Sequence, residues 1–112
     1  KEATYAKKVE KIEGKINWNE GATNILAKIN GLFPIPGAFF IFNGERSKIL
    51  KAEIGNGIGT AGEVLTDKLE VACGKNQSIK IIEIQRQGKR PQKIEEFMLG
   101  SLIKKGLVIT HV

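Results

Sequence analysis

Residues 57–62 read GIGTAG and match the G-x-G-x-x-G pattern found in dinucleotide-binding proteins. That pattern binds a pyrophosphate where it opens a helix inside a βαβ unit, because the free amides at the helix start face the phosphates. Here residues 63–67 follow as a short segment with strand-forming side chains, and no crossover helix fits before Ile79. We therefore interpret residues 57–62 as a loop between strands and expect no nucleotide site.

The remaining reactive side chains are few and lie far apart in the sequence. Cys73 is the only cysteine, so it forms neither an internal disulfide nor a structural zinc site, and we expect it to be buried in a strand. His111 has no plausible aspartate or serine partner, and Asp67, the only aspartate, lies in a predicted turn. We expect no catalytic residue, no metal site and no bound cofactor in this chain. A single thiol is typical of a reducing, cytoplasmic compartment.

Basic residues are in excess, which favours a polyanionic partner. Lysine and arginine total 18 against 12 acidic residues, giving a net charge of +6 and a pI of about 9.6. Lysine supplies 15 of the 18, which compositional drift can also produce, so the placement of the charges must decide. No apolar run approaches the ~20 residues of a membrane-spanning helix, and we expect no membrane partner.

The basic residues fall into two clusters. The cluster nearer the C-terminus, residues 85–93, is the second of the two. It has no acidic residue and places its bases on a strand end and loop, where binding residues concentrate. Its bases are Arg86, Lys89, Arg90 and Lys93. The first cluster alternates with Glu10 and Glu13, and its bases are Lys7, Lys8, Lys11 and Lys15. Lys48, Lys51 and Arg46 on a predicted strand could extend the basic surface. Because aromatic residues are sparse, we expect contact with the phosphates and shape of a folded RNA rather than stacking on a single strand.

The periodicity of the apolar residues predicts the elements that carry these clusters. Residues 1–16 are interpreted as an exposed linker or arm. A helix is predicted over 19–30, capped by Asn19 and ended by Gly31, and a second helix over 94–104, ended by Gly106. Between them, alternation and turn residues predict five strands, which suggest a small barrel or sandwich. The strands are 38–43, 47–54, 63–66, 68–73 and 78–85, with a hairpin turn at Asn43-Gly44, and residues 107–112 form an extended tail.

A set of short motifs recurs in a fixed order along the whole chain. It comprises ATYAKK at residues 3–8, INW at 16–18, INGLFPIPGA at 29–38, GEVL at 62–65, VACG at 71–74 and IQRQGKR at 84–90. Together these motifs closely resemble the C-terminal domain of the methionyl-tRNA formyltransferase family, with the interdomain linker at its start. The chain departs from the family pattern at Asn17, at Ile35, where the family often has tryptophan, and at Lys93, where it usually has a serine-type cap.

The resemblance implies a five-stranded, OB-like Greek-key barrel over residues 17–112. It implies that the whole enzyme transfers a formyl group from 10-formyltetrahydrofolate to the methionine amino group of initiator tRNA. The catalytic residues and folate pocket would lie in an N-terminal Rossmann-like domain that this chain, which starts at Lys1 without a methionine, is expected to lack. The family's tRNA-holding basic positions fall on Lys8 and Lys11 and on the loop Gly88, Lys89 and Arg90.

Two other interpretations stay open at this point. Formyltransferases that act on sugar nucleotides or folate carry similar C-terminal barrels, but they do not need a cationic face for a large RNA. A stand-alone OB-like module that binds another RNA or a protein is the other alternative, and the linker-like residues 1–16 argue against it.

Overall fold

The computed structural model describes residues 14–109, which form seven secondary-structure elements. In chain order these are α1 (Ala22–Leu32), β1 (Ala38–Phe42), β2 (Glu45–Ile54), β3 (Glu70–Cys73), β4 (Gln77–Arg86), β5 (Pro91–Lys93) and α2 (Ile94–Leu99). Neither helix in this part of the chain is long and apolar enough to cross a membrane.

The five strands form one antiparallel sheet that curls into a half-barrel. Its order is β1-β2-β4-β3, and β5 also pairs with β4. The β1–β2 hairpin turns at Asn43 and Gly44, whose φ angles of 57° and 79° are the left-handed values that this tight turn requires. The mainly β fold with five strands is confirmed, and the arrangement is consistent with an OB-like barrel.

One of the five predicted strands is wrong and another was missed. Residues 63–66 contribute only isolated bridges, Glu63 with Val108 and Val64 with Val71. The fifth strand is instead β5, which pairs with residues 83–85 of β4. Proline lacks the N–H that a strand ladder uses, but it is tolerated at the first position of a strand, and Pro91 occupies that position.

Helix α1 begins and ends later than the predicted 19–30. The Gly74 N–H donates to the carbonyls of Trp18 (3.0 Å) and Glu20 (2.9 Å), which ties residues before the helix to the turn after β3. Asn19 is not the cap. The first helical amide, that of Ala22, donates instead to Gln77 Oε1 on β4 at 2.7 Å. The helix then continues through Gly31 to Leu32.

Helix α2 is shorter than the predicted 94–104, because it ends at Leu99. The Gly100 N–H donates to the Phe97 carbonyl, and Ser101 Oγ accepts the N–H of Ile103, so the chain turns away from the helix axis. Gly106 does not end a helix. It begins the segment that returns along Val64, where its N–H donates to the Val64 carbonyl at 2.7 Å.

The core lies between α1 and the inner face of the sheet. The buried face of α1 is formed by Ala22, Ile25 and Ile29, and this helix packs mainly on β2. Trp18 is buried against Phe40 of β1, with ring centroids 6.3 Å apart. Strands β2 and β4 contribute four buried isoleucines, Ile49, Ile79, Ile81 and Ile84, and the core extends to buried residues of β3 and α2, among them Val71 and Ile94. Burial of these large apolar groups is the main stabilising contribution to the fold.

Candidate nucleic-acid interface

The turn between β4 and β5, residues 87–90, holds the middle of the predicted basic cluster in a fixed shape. Gly88 has a φ of +75°, and the Lys89 N–H donates to the Arg86 carbonyl at 3.0 Å. Gln85 Nε2 donates to the Lys89 carbonyl at 2.9 Å, which ties the turn to β4. The side chains of Lys89 and Arg90 are exposed. The backbone is therefore fixed while two cationic groups project into solvent.

The register of the strands decides which other bases share a surface with this turn. Ile49 of β2 lies opposite Ile84 of β4, and both are buried, so their side chains mark the inner face. Residues directly opposite on antiparallel strands point to the same side of the sheet, and neighbours along a strand alternate. Lys48 and its partner Gln85 therefore point to the other side, which we call the outer face.

Three further bases lie on the outer face. Lys51 and Lys93 both lie opposite Glu83, one on each side of it, in β2 and β5. Arg46 precedes Lys48 by two residues, and its guanidinium carbon is 4.1 Å from the centroid of the Phe39 ring, a cation–π arrangement. Near the 87–90 turn the outer face thus carries four bases, Arg46, Lys48, Lys51 and Lys93, around Glu83. Glu53 lies on the same face further along β2, opposite Lys80 of β4.

Lys15 lies at the border of the outer face. Residues 14–16 extend the sheet beyond β1, because the Phe39 N–H donates to the Gly14 carbonyl (2.7 Å) and the Ile16 N–H donates to the Phe39 carbonyl (2.9 Å). Ile16 is buried in the core, so the exposed Lys15 side chain points away from it. This part of the predicted 1–16 linker is paired with the sheet.

Lys7, Lys8 and Lys11, the other bases of the first cluster, lie outside the described residues. Their contact with RNA stays a prediction.

Arg86 lies apart from the other bases of its cluster. It is opposite Ser47 and points to the same side as the core, where it forms a bidentate pair with Glu45: Nε to Oε1 is 3.1 Å and Nη2 to Oε2 is 3.3 Å. This is the only ion pair within 4 Å among residues 14–109. The pair borders a cavity of about 250 Å³ that Phe97 also lines. No local sequence pattern indicates Glu45, because its contact with Arg86 depends on the pairing of β2 with β4.

The loop that contains residues 57–62, which we call the glycine-rich loop, resembles a phosphate-binding motif. It surrounds a carboxylate side chain of the protein itself. Glu70 of β3 is 6% exposed, and its Oε2 accepts hydrogen bonds from Ser78 Oγ (2.6 Å), the Gly57 N–H (2.7 Å) and the Asn56 N–H (2.9 Å). Burial by itself raises the pKa of Glu70, but these hydrogen bonds, with the positive charge of Lys80, outweigh it and hold the pKa below its ordinary value.

Within residues 57–62 the Gly57 amide donates to Glu70, the Thr60 amide to Glu63 Oε1 and the Gly62 amide to the Ala72 carbonyl, so three amides of the motif are bound within the protein. Residues 57–75 contain no helix. Sequence reasoning missed Glu70 itself. A carboxylate inside an otherwise apolar strand is the one signal that could have drawn attention to it.

Cys73 is buried, and burial raises the pKa of its thiol to about 11, which opposes any role as a nucleophile. Among the described residues no group of three or more histidine, cysteine, aspartate or glutamate side chains could hold a metal ion. The charged side chains that remain grouped on the described surface are the bases of the outer face and of the 87–90 turn.

Comparison with known proteins gives consistent matches along the chain. The family model described as formyl transferase, C-terminal domain, matches residues 8–102. The chain is similar to the methionyl-tRNA formyltransferase of Pelagibacter ubique, with 64% identity over 98% of the chain and 36% of the relative. It is also similar to the proteins of that name from Rickettsia massiliae (45% identity over 95% of the chain and 35% of the relative) and Bradyrhizobium diazoefficiens (42% over 96% and 35%). The chain therefore spans about a third of the length of these relatives.

Proposed function

The chain belongs to the family of formyl transferase C-terminal domains, and from that premise we propose that it is the tRNA-holding domain of a methionyl-tRNA formyltransferase. The whole protein then transfers a formyl group from 10-formyltetrahydrofolate to the methionine amino group of initiator methionyl-tRNA in the cytoplasm. The folate donor and the catalytic residues belong to an N-terminal Rossmann-like domain of the same polypeptide. The C-terminal domain, which is the chain described here, binds no cofactor and contributes a cationic surface for the RNA.

The observation that carries the proposal is the charge of the outer face and of the adjoining turn. Six bases lie there, Arg46, Lys48, Lys51, Lys89, Arg90 and Lys93, against two acidic residues that β2 and β4 place on the same face, Glu53 and Glu83. None of the six forms an ion pair within 4 Å with another described residue. Surface cations release counterions when they meet phosphates, which supplies a large share of the affinity for nucleic acids.

Phosphate contacts position an RNA without reading its sequence. We therefore expect this chain alone to bind tRNA weakly, in a salt-sensitive manner, and almost equally for initiator and other tRNAs. Selection of the initiator then belongs to the N-terminal domain near the acceptor end. Lys8, Lys11 and Lys7 would extend the surface along the linker, and Lys15 would join them to the outer face.

The test is a salt titration of tRNA binding by the 112-residue chain and by Lys89→Ala/Arg90→Ala. Loss of two phosphate contacts should reduce the slope of log K against log salt by up to about 1.8, at about 0.9 per contact for a duplex. Lys104→Ala/Lys105→Ala is the matched control. It removes the same charge from exposed positions beside the segment that pairs with Val64, away from the outer face.

The control variant should keep the wild-type slope. If both double variants change the slope equally, only the net charge matters and the outer face is not the RNA-binding surface. If neither changes it, the chain does not hold tRNA through the 87–90 turn.

A further inference from the structure

The loop between α1 and β1, residues 33–37, presents two large apolar side chains to solvent. Phe33 is 51% exposed and Ile35 is 82% exposed. We call residues 33–37 the apolar loop. Large apolar groups that stay exposed together on one loop mark a surface that contacts something else.

The apolar loop has a fixed shape. The Gly37 N–H donates to the Leu32 carbonyl at 2.9 Å and closes the loop, and Pro34 and Pro36 restrict its backbone. Gly37 has a φ of +85°, and a Cβ at this position would collide with the side chain of Lys48. A loop that is ordered before binding loses little conformational entropy when a partner arrives.

The apolar loop adjoins the cationic surface directly. Lys48 Nζ donates to the Pro34 carbonyl at 3.3 Å, so this outer-face lysine lies against the loop. Lys48 is opposite Gln85, and Gln85 in turn donates to the Lys89 carbonyl. A continuous line of contacts therefore runs from the apolar loop across β2 and β4 to the 87–90 turn.

We propose that the apolar loop is part of the RNA interface, with Phe33 and Ile35 packing on ribose and base faces while the outer-face cations contact phosphates. The proposal rests on the proposed function and adds to it a contact that does not depend on charge. A folded RNA offers phosphates and apolar base and sugar faces side by side, as this surface requires. A protein partner would need an acidic rim around an apolar patch to match the same cations.

The experiment compares two probes, an initiator tRNA transcript and heparin, which is polyanionic but has no bases. Phe33→Ser/Ile35→Ser should weaken tRNA binding about fivefold or more, the low end for one stacked base, at every salt concentration. The salt slope and the affinity for heparin should stay at the wild-type values. Ile58→Ser is the matched control, since Ile58 is 67% exposed in the glycine-rich loop beyond the other end of β2. It should change neither affinity.

Two further variants keep the test decisive if the double variant folds poorly. Ile35→Ser alone alters a side chain that is 82% exposed and should weaken tRNA binding in the same direction. Ile35→Trp adds a flat ring and should strengthen tRNA binding without strengthening heparin binding.

The outcomes separate this inference from the proposed function. Unchanged tRNA affinity in the loop variants, with a reduced slope in Lys89→Ala/Arg90→Ala, overturns the inference alone and leaves the proposed function standing. Equal losses for tRNA and heparin also overturn it, because the loop would then act through the cations or the fold. If the wild-type chain binds no tRNA, both proposals fail.

Discussion

Replacing Glu70 by glutamine should lower the free energy of unfolding by up to about 3 kcal/mol at neutral pH, because three hydrogen bonds to a carboxylate become hydrogen bonds to a neutral group. The lower desolvation cost of the neutral amide offsets part of this loss. The buried Oε2 of Glu70 accepts from Ser78 Oγ and from two amides of the glycine-rich loop, at 2.6–2.9 Å. A charged hydrogen bond contributes roughly 1 kcal/mol more than a neutral one, and there are three of them. Domains of this size are stable by only about 5–15 kcal/mol, so the loss is easy to measure.

The effect should depend on pH in a defined direction. The pKa of Glu70 is lowered in the folded protein, so the unfolded chain binds the proton more readily. The contribution of Glu70 is therefore complete above the ordinary value of 4.5 and is lost as the pH falls through that value towards the folded pKa. The difference in stability between wild type and Glu70→Gln should be largest at pH 7 and shrink on acidification.

The assay is urea unfolding followed by the fluorescence of Trp18, the only tryptophan and a buried one, at several pH values between 7 and 3. Glu53→Gln is the matched control, since it makes the same chemical change at an exposed position of β2, and it should stay within about 0.5 kcal/mol of wild type. A Glu70→Gln protein as stable as wild type at pH 7, or a difference that does not change with pH, would refute the reasoning.

Three further predictions concern reactivity and charge. The Cys73 thiol, with its pKa raised to about 11, should not react with a disulfide reagent at pH 8 until urea unfolds the protein, and rapid reaction of the native chain would contradict its burial. The 112-residue chain should not formylate methionyl-tRNA in the presence of 10-formyltetrahydrofolate, and any turnover would contradict the absence of a catalytic set. Glu45→Gln should break the pair with Arg86 but leave Arg86 on the inner side, so the salt slope of tRNA binding should not change, and a slope steeper by about 0.9 would show that Arg86 reaches a phosphate.

Local sequence patterns predicted the parts of the fold that local interactions determine. The Asn43-Gly44 turn formed as expected, because both residues tolerate the left-handed backbone that joins two twisted strands. The alternation over residues 78–85 predicted β4, and the interruption of the pattern at Ile82 coincides with a register shift against β2. Burial of Cys73 followed from its strand position.

The errors arose where contacts between distant residues decide the structure. The start of α1 depends on Gln77, which lies 55 residues further along the chain from Ala22. Strand β5 has three residues and begins with proline, so only its pairing with β4 identifies it. The positive charge of residues 85–93 could be predicted from the sequence, but the division of these bases between the two faces of the sheet could not. Arg86 lies on the inner side because of the register of β4, and no local pattern specifies its Glu45 partner.

Strand β4 has consequences for the order in which the domain can assemble. One of its edges pairs with β2, and the other is shared between β3 near its start and β5 near its end. The β1–β2 hairpin can form early from local contacts. The edge of β2 that faces away from β1 stays unpaired until β4, which comes later in the chain, pairs with it. Pairings between distant segments fold slowly, and open strand edges invite pairing with other chains. During synthesis, the edge of β2 is therefore the place where this domain is most exposed to mispairing until residues 77–86 have left the ribosome.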